Sequence, residues 1–238
     1  MSRKTWTYAL LDMDRTFFDF PASERRAFFR TMKEFSIAVT EDTYRVYQGI
    51  NDAVWRELEA GRMTHEFLRH ERFRRLIAQE RLDVPAGVTP EKIAAYNLDL
   101  MAEGDILYEG AKEMWQAIYQ NYIVCVLTNG TDWVQMSRLR RSGMLAYTHH
   151  VITSQMAGAG KPDAGIFRYA MDAVGCQDKK QYVMIGDSLE ADIAGAKNFG
   201  IHTIWYNPAR FEEKSVCPDD KVHNYREMAQ LLSIEMPK

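Results

Sequence analysis

The chain has 238 residues, of which 46% are hydrophobic and 26% are charged, and its formal net charge is -3. These values are typical of a globular protein. So small a net charge excludes an electrostatic field strong enough to attract a nucleic acid polymer or an anionic membrane. No apolar run reaches the length of a membrane span, and the three cysteines lack the paired spacing of a disulfide or zinc framework. We therefore expect a cytoplasmic protein, monomeric or homodimeric, that acts on a small molecule.

The first part of the chain predicts a buried strand that ends in two acids. Residues 6–11 are hydrophobic and β-prone, and Asp12 and Asp14 follow them directly. Open α/β folds bind their ligands at the C-terminal edge of the sheet, where both carboxylates would lie. The Asp-x-Asp pattern alone fits an ordinary surface turn equally well.

A long helical segment follows. Apolar spacing and capping residues predict four helices, over residues 23–35, 40–61 and 64–82 and from Thr89-Pro90 onward. So much helix inside an α/β pattern predicts an inserted all-helical cap domain at 18–107, with the core domain made of 1–17 and 108–238.

Two further predictions concern the interior and the surface of this insert. The aromatic residues Tyr44, Tyr47, Trp55 and Phe67 recur at helical spacing, which predicts that they form its own core. The basic run from Arg69 to Arg75 is interpreted as a solvated helix face.

The rest of the chain alternates between strands and helices. Strands are predicted at 122–128, 150–154, 181–187 and 201–206, and helices at 132–141, 163–174, 191–199 and 224–232. This alternation predicts an α/β fold with a Rossmann-like parallel sheet and helices on both faces.

Each predicted strand is followed by polar residues that complement those of the others. The successive strand ends carry the two acids, then Thr128-Asn129-Gly130, then Lys161, and finally Asp187 with Asp192 beyond it. Clustered carboxylates suit a hard divalent cation, Mg²⁺ in the first place, whereas a hydroxyl, backbone N–H groups and a lysine suit a phosphoryl group. For Asp192, a first-turn acid favoured by the helix dipole is the competing interpretation.

The order of these motifs resembles the haloacid dehalogenase (HAD) superfamily of phosphotransferases. The matching motifs are Asp-x-Asp-x-Thr at 12–16, Thr-Asn-Gly at 128–130, Lys-Pro-Asp at 161–163 and Gly-Asp-Ser-x-x-x-Asp at 186–192. The insert resembles that superfamily's helical cap of the first type. Within it, Tyr47, Asn51, Trp55 and Arg72-Phe73 are similar to the branch of bacterial pyrimidine 5'-nucleotidases.

The resemblance implies a role for each matching residue. Asp12 would be the nucleophile that forms an aspartyl-phosphate, and Asp14 the general acid and base. The remaining implied roles are phosphoryl binding by Thr128, Asn129 and Lys161, Mg²⁺ binding by Asp12, Asp187 and the carbonyl of Asp14, and support from Thr16, Gly130 and Asp192. Phe18 and Phe20 are candidates for contact with a nucleobase.

The function implied is a Mg²⁺-dependent phosphatase, with a pyrimidine nucleoside 5'-monophosphate as the favoured substrate. A phosphatase of small sugar phosphates or of phosphoglycolate is the alternative. Remoter alternatives are a haloacid dehalogenase and a phosphate-binding protein without catalysis. Arg15 departs from the family, which commonly has glycine or an acid there, and it either contacts substrate phosphate or points into solvent.

Overall fold

The computed structural model describes residues 6–213 and 216–236, apart from the side chains of residues 59 and 65. It divides into two compact units, Met1–Asp19 with Asp105–Lys238, and Phe20–Gly104. We call them the sheet unit and the helical unit. The sequence-based boundaries, after residues 17 and 107, lie within a few residues of this division.

Strand β1 (Tyr8–Leu11) opens the sheet unit, and the chain then forms the helical unit. This unit contains four helices, α1 (Phe20–Glu34), α2 (Glu41–Glu59), α3 (His65–Glu80) and α4 (Pro90–Ala102). Threonine hydroxyls at positions 40, 64 and 89 accept hydrogen bonds from backbone N–H groups at the starts of α2, α3 and α4. Because each cap is formed by residues close together in the chain, the sequence alone predicts where these three helices begin.

The rest of the sheet unit alternates as predicted. Its main elements are α5 (Ala111–Asn121), β2 (Ile123–Thr128), α6 (Asp132–Arg141), β3 (His150–Thr153), α7 (Ser154–Ala157), α8 (Ala164–Val174), β4 (Tyr182–Gly186), a π-helical turn Leu189–Ala194, α9 (Gly195–Phe199), β5 (His202–Tyr206), β6 (Asp220–Val222) and α10 (Tyr225–Leu232). Helices α5 and α7 and the short edge strand β6 are absent from the sequence-based prediction.

The six strands form one parallel sheet in the order β3-β2-β1-β4-β5-β6. Leu11 at the end of β1 is level with Val126 of β2 and Ile185 of β4, so the loops after these three strands meet at one edge. Successive strand residues enter separate apolar clusters, with Leu11 in one and Leu10 in the other. The prediction of an α/β, Rossmann-like parallel sheet with an all-helical insert is confirmed.

The helical unit has its own core, in which two of the predicted aromatic residues, Tyr44 and Tyr47, are buried. Phe67 is 48% exposed, so its placement in that core was wrong. The solvated-face interpretation of the basic run was also wrong for Arg72, which is 6% exposed. Arg72 lies four residues from both Leu68 and Leu76, which are buried, so it shares their inward face, where its guanidinium donates to Asn51 and Asn97.

Within the described residues, no helix combines the length and apolar character that crossing a bilayer requires.

Candidate active site

The loop after β1 folds tightly around its first acid. Backbone N–H groups of Phe17 and Phe18 donate to the carbonyl of Met13, and the Thr16 hydroxyl donates to Asp12 Oδ2 at 3.0 Å. The Tyr225 hydroxyl in turn donates to the carbonyl of Thr16 at 2.7 Å. Asp12, only 8% exposed, is therefore held at the end of the central strand with one carboxylate oxygen already bonded.

Lys161 joins two of the predicted acids. Its Nζ lies 2.7 Å from Asp12 Oδ1 and 2.6 Å from Asp192 Oδ1, and the side chain is almost entirely buried. Burial alone would lower the pKa of Lys161, but the two carboxylates raise it above its usual value. The lysine is therefore a permanent cation beside Asp12.

Three acids converge on one point. Carboxylate oxygens of Asp12, Asp187 and Asp192 all lie within 4.8 Å of one another. The indole N–H of Trp205 donates to the carbonyl of Asp187 at 2.8 Å, and the backbone N–H of Ser188 donates to Asp192 Oδ2 at 3.0 Å. The loop after β4 therefore presents two carboxylates toward the one that follows β1.

The crowding of these acids alters their affinity for protons. Burial, with repulsion from Asp192 and Asp14, raises the pKa of Asp12 to about 7 even though Lys161 lowers it. Burial and repulsion from Asp12 and Asp192 hold the pKa of Asp187 well above its usual range. Three carboxylates against one ammonium leave two net negative charges when all are ionised, which is the charge that a divalent cation neutralises.

Asp192 is one of the three acids of this cluster, whereas the family resemblance implied only a supporting role for it. The turn after Gly186 brings it there, and a Cβ on Gly186 would lie 2.2 Å from Asp192 Oδ2. Only a glycine leaves space for the buried carboxylate at this point.

Asn129 and Thr128 have different tasks in the loop after β2. The Asn129 amide bonds the backbone of Lys161 in both directions, accepting from its N–H at 2.7 Å and donating to its carbonyl at 2.8 Å. Asn129 therefore orders the lysine loop through its side chain, and the predicted phosphoryl contact falls to the backbone near it. Thr128 Oγ1 accepts from the backbone N–H of Gly130 at 3.0 Å.

Asp14 faces a different set of partners from Asp12. Arg138 Nη1 lies 2.6 Å from Asp14 Oδ1, and Gln135 Nε2 donates to Asp14 Oδ2 at 2.9 Å. The same Nε2 donates to Thr128 Oγ1, also at 2.9 Å, and Arg138 Nη1 donates to Gln135 Oε1 at 2.8 Å. The carboxyl of Asp14 thus faces α6 through one hydrogen bond and one ion pair, and it does not belong to the acid cluster formed within the described part of the chain.

Sequence reasoning missed Gln135 and Arg138. They are three residues apart on α6, one turn beyond Thr-Asn-Gly, and this spacing places both on the helix face near the sheet edge. Arg138 resembles an ordinary last-turn base beside Arg140 and Arg141, a position that the helix dipole favours. Only its 1% exposure distinguishes it from them.

The two phenylalanines proposed for base contact lie in different units. Phe18 is fully buried in the sheet unit, with the Arg138 guanidinium 4.9 Å from its ring centroid, so its ring offers no free face to a ligand. Phe20 is the first residue of α1 in the helical unit and is partly buried. Arg15 is exposed and has a φ of 63°, in the left-handed region that favours glycine.

Comparison with known proteins decides the family. A model described as haloacid dehalogenase-like hydrolase matches residues 5–200 of the chain. The chain belongs to the haloacid dehalogenase-like hydrolases. This agrees with the order of the four motifs and with the acids, lysine and threonine that the sheet unit brings to one edge.

Two HAD relatives have named activities. The chain is 31% identical to pyrimidine 5'-nucleotidase YjjG of Escherichia coli K12, covering 95% of this chain and 98% of that protein. It is also 31% identical to pyrimidine 5'-nucleotidase PynA of Streptococcus pneumoniae, covering 95% of both chains. Both are phosphoric monoester hydrolases, which confirms the predicted class of enzyme.

A crystal structure of the HAD hydrolase YfnB from Bacillus subtilis, bound to magnesium, superimposes with a TM-score of 0.89 at 28% identity. The match covers 97% of this chain and 100% of that chain. The fold is therefore shared over nearly all of this chain and over the whole of YfnB.

Proposed function

We propose that this HAD hydrolase is a Mg²⁺-dependent 5'-nucleotidase that prefers pyrimidine nucleoside monophosphates. The phosphatase part of the proposal is carried by the bridge from Lys161 to Asp12 and Asp192, with Asp187 beside it. The preference for pyrimidine nucleotides rests on the two nucleotidases that match 95% of the chain.

The donor set fits Mg²⁺. Asp12 and Asp187 would hold the ion together with the carbonyl of Asp14, and Asp192 lies close enough to take part directly or through water. When bound, the ion neutralises the acids and the phosphate dianion that they would otherwise repel.

The residues of this chain have complementary tasks in the reaction. A carboxylate oxygen of Asp12 attacks phosphorus, and the bond from phosphorus to the 5'-oxygen breaks while Asp14 gives that oxygen a proton. Water then attacks the phosphorus of the aspartyl-phosphate and gives a proton to Asp14, the bond from phosphorus to the Asp12 oxygen breaks, and inorganic phosphate leaves with the Asp12 carboxylate restored. Lys161 and Thr128 hold negative charge on the phosphoryl oxygens during both steps.

The proposal is tested by phosphate release from a panel of esters, with Mg²⁺ or with EDTA. The panel contains UMP, dUMP, dTMP, AMP, GMP, ribose 5-phosphate and phosphoglycolate. We expect the pyrimidine nucleotides to have the highest kcat/KM, and EDTA to abolish turnover. Equal or greater activity on sugar phosphates would contradict the nucleotidase assignment and favour the sugar-phosphate alternative.

Variants test the assignment of the nucleophile. Asp12→Asn removes the attacking oxygen and is expected to abolish phosphate release, whereas Asp172→Asn, an exposed acid on α8, should leave it unchanged. Wild-type release by Asp12→Asn would remove Asp12 from its role. Carbon–halogen hydrolysis is disfavoured because that reaction has no leaving oxygen to protonate, which would leave Asp14 without a function.

A further inference from the structure

The two carboxylates of the Asp-x-Asp motif are separated by their partners. Asp12 faces Lys161 and lies in the acid cluster, whereas both oxygens of Asp14 are in contact with side chains of α6. Two acids at i and i+2 beside a divalent cation site would ordinarily both be attracted to the cation. Contacts with other residues must therefore keep the carboxyl of Asp14 away from the cation if it is to transfer a proton.

We propose that Gln135 and Arg138 are positioning residues, which keep Asp14 away from the metal-binding acids and orient its carboxyl for proton transfer to the leaving oxygen. The proposal deepens the phosphatase function above and rests on it.

The geometry of the pair suits this task. One carboxylate oxygen accepts a hydrogen bond from Gln135 at 2.9 Å, and the other forms an ion pair with Arg138 at 2.6 Å without a hydrogen bond, so the carboxyl group is held from two sides. Arg138 and Gln135 are also bonded to each other at 2.8 Å, and both side chains are nearly inaccessible to solvent. A partner that is itself held in place restricts the rotamer of the residue it contacts.

Neighbouring residues hold Gln135 and Arg138 in place. The Arg138 guanidinium lies 4.9 Å from the ring centroid of Phe18, which belongs to the same loop as Asp14. A Cβ on Gly130 would lie 2.2 Å from Gln135 Nε2, so the glycine of Thr-Asn-Gly leaves the space that Gln135 occupies. The side-chain amide of Gln135 therefore connects Asp14 with the loop after β2, because it donates to Thr128 as well as to Asp14.

The leaving group provides a test that a purely structural role would not satisfy. A nucleoside 5'-alkoxide is a strong base and needs a proton in order to leave, whereas 4-nitrophenolate is a weak base and leaves without one. Loss of acid positioning should therefore affect a nucleotide far more than 4-nitrophenyl phosphate. Loss of folding or of phosphoryl binding should affect the two substrates equally.

The experiment measures kcat and KM of the full-length protein with Mg²⁺ for UMP and for 4-nitrophenyl phosphate. The variants are Gln135→Met, which keeps the volume, Arg138→Met and the conservative Arg138→Lys. We expect kcat for UMP to fall about 100-fold or more in Gln135→Met and Arg138→Met, with at least a tenfold smaller loss for 4-nitrophenyl phosphate. Arg138→Lys should recover part of the activity on UMP.

A matched control is available on the same helix. Arg140 is exposed, and Arg140→Met should leave both substrates unchanged. The Mg²⁺-induced rise in Tm should be the same in the control as in the wild type, and at least as large in Gln135→Met, because the metal-binding acids remain in place and Asp14 is released toward them.

Equal losses on both substrates in Gln135→Met, or no loss on either, would overturn the proposal. Should Arg138→Met fail to fold, Gln135→Met alone decides between these outcomes. A wild-type protein that hydrolyses neither ester would instead contradict the phosphatase function on which the proposal rests, so the two failures are distinguishable.

Discussion

The side-chain amide of Asn129 makes two hydrogen bonds with the backbone of Lys161, one to its N–H at 2.7 Å and one to its carbonyl at 2.8 Å. The loop after β2 therefore determines where the loop that carries the lysine lies. This relationship explains how a long connection delivers one Nζ between two carboxylates, and it has a measurable consequence.

Asn129→Ala should reduce kcat more than it reduces stability. Loss of both hydrogen bonds is expected to lower the free energy of unfolding by about 1–2 kcal/mol, while kcat falls because Lys161 is no longer held against Asp12. Enzyme assays with urea denaturation test this. Asn121→Ala, at the exposed end of α5, is the control, and unchanged kcat in Asn129→Ala would contradict the coupling of the two loops.

The stability of the metal-free protein should decrease as the pH rises. Burial raises the pKa of Asp12 to about 7 in the folded state, against an ordinary value of 3.8. Between these values the folded state binds more protons than the unfolded state, so the free energy of unfolding falls from about pH 4 to about pH 7. Asp187 contributes with the same sign, since its pKa is also raised.

Urea denaturation in EDTA over this range measures the effect. In Asp12→Asn the contribution of this carboxyl is absent, so the decrease with pH should be shallower than in the wild type. An equal slope in both proteins would show that Asp12 does not bind its proton more tightly after folding.

Mg²⁺ should stabilise the folded protein, and Asp187→Asn should remove most of that effect. A ligand at about 100 times its Kd adds about 2.7 kcal/mol to the free energy of unfolding. In EDTA, by contrast, Asp187→Asn should be at least as stable as the wild type, because an amide relieves the repulsion from Asp12 and Asp192. Thermal unfolding with and without Mg²⁺ measures both effects, and a full Mg²⁺ shift in Asp187→Asn would exclude it as a ligand.

Arg72→Ala should be the most destabilising change in the basic run of α3. Its guanidinium is buried, donates to Asn51 and Asn97, and lies 5.3 Å from the ring centroid of Phe73. Removing it leaves two buried amides without these bonds and creates a cavity, at a cost of about 2–4 kcal/mol.

Arg74 provides the comparison. Its side chain is 59% exposed, and the buried carboxylate of Glu71 that it contacts is also paired with Arg75 at 2.8 Å, so Arg74→Ala should cost only about 1 kcal/mol. Urea denaturation measures both variants, and similar losses would show that Arg72 is not part of the interior of the helical unit.

The sequence by itself determined the elements and the order of the reactive groups. Threonine caps at residues 40, 64 and 89, a proline at the start of α4 and the buried run of β2 are local signals, since they depend on residues only a few positions apart. Parallel strands all end at the same edge, and so Asp12, Thr128 and Asp187 at strand ends could be grouped before any distance was known. Lys161 joined them as a residue of the loop that follows the third strand.

Only the tertiary structure decided how those groups are divided. It placed Asp192 beside Asp12 and Asp187, turned Asp14 toward Arg138 and Gln135, and used the Asn129 side chain to hold Lys161. It also buried Arg72 and Phe18, whose sequence patterns resemble a surface cation and an accessible ring. Each of these depends on which side chain occupies a given space between segments far apart in the chain, and helical spacing or motif order does not contain that information.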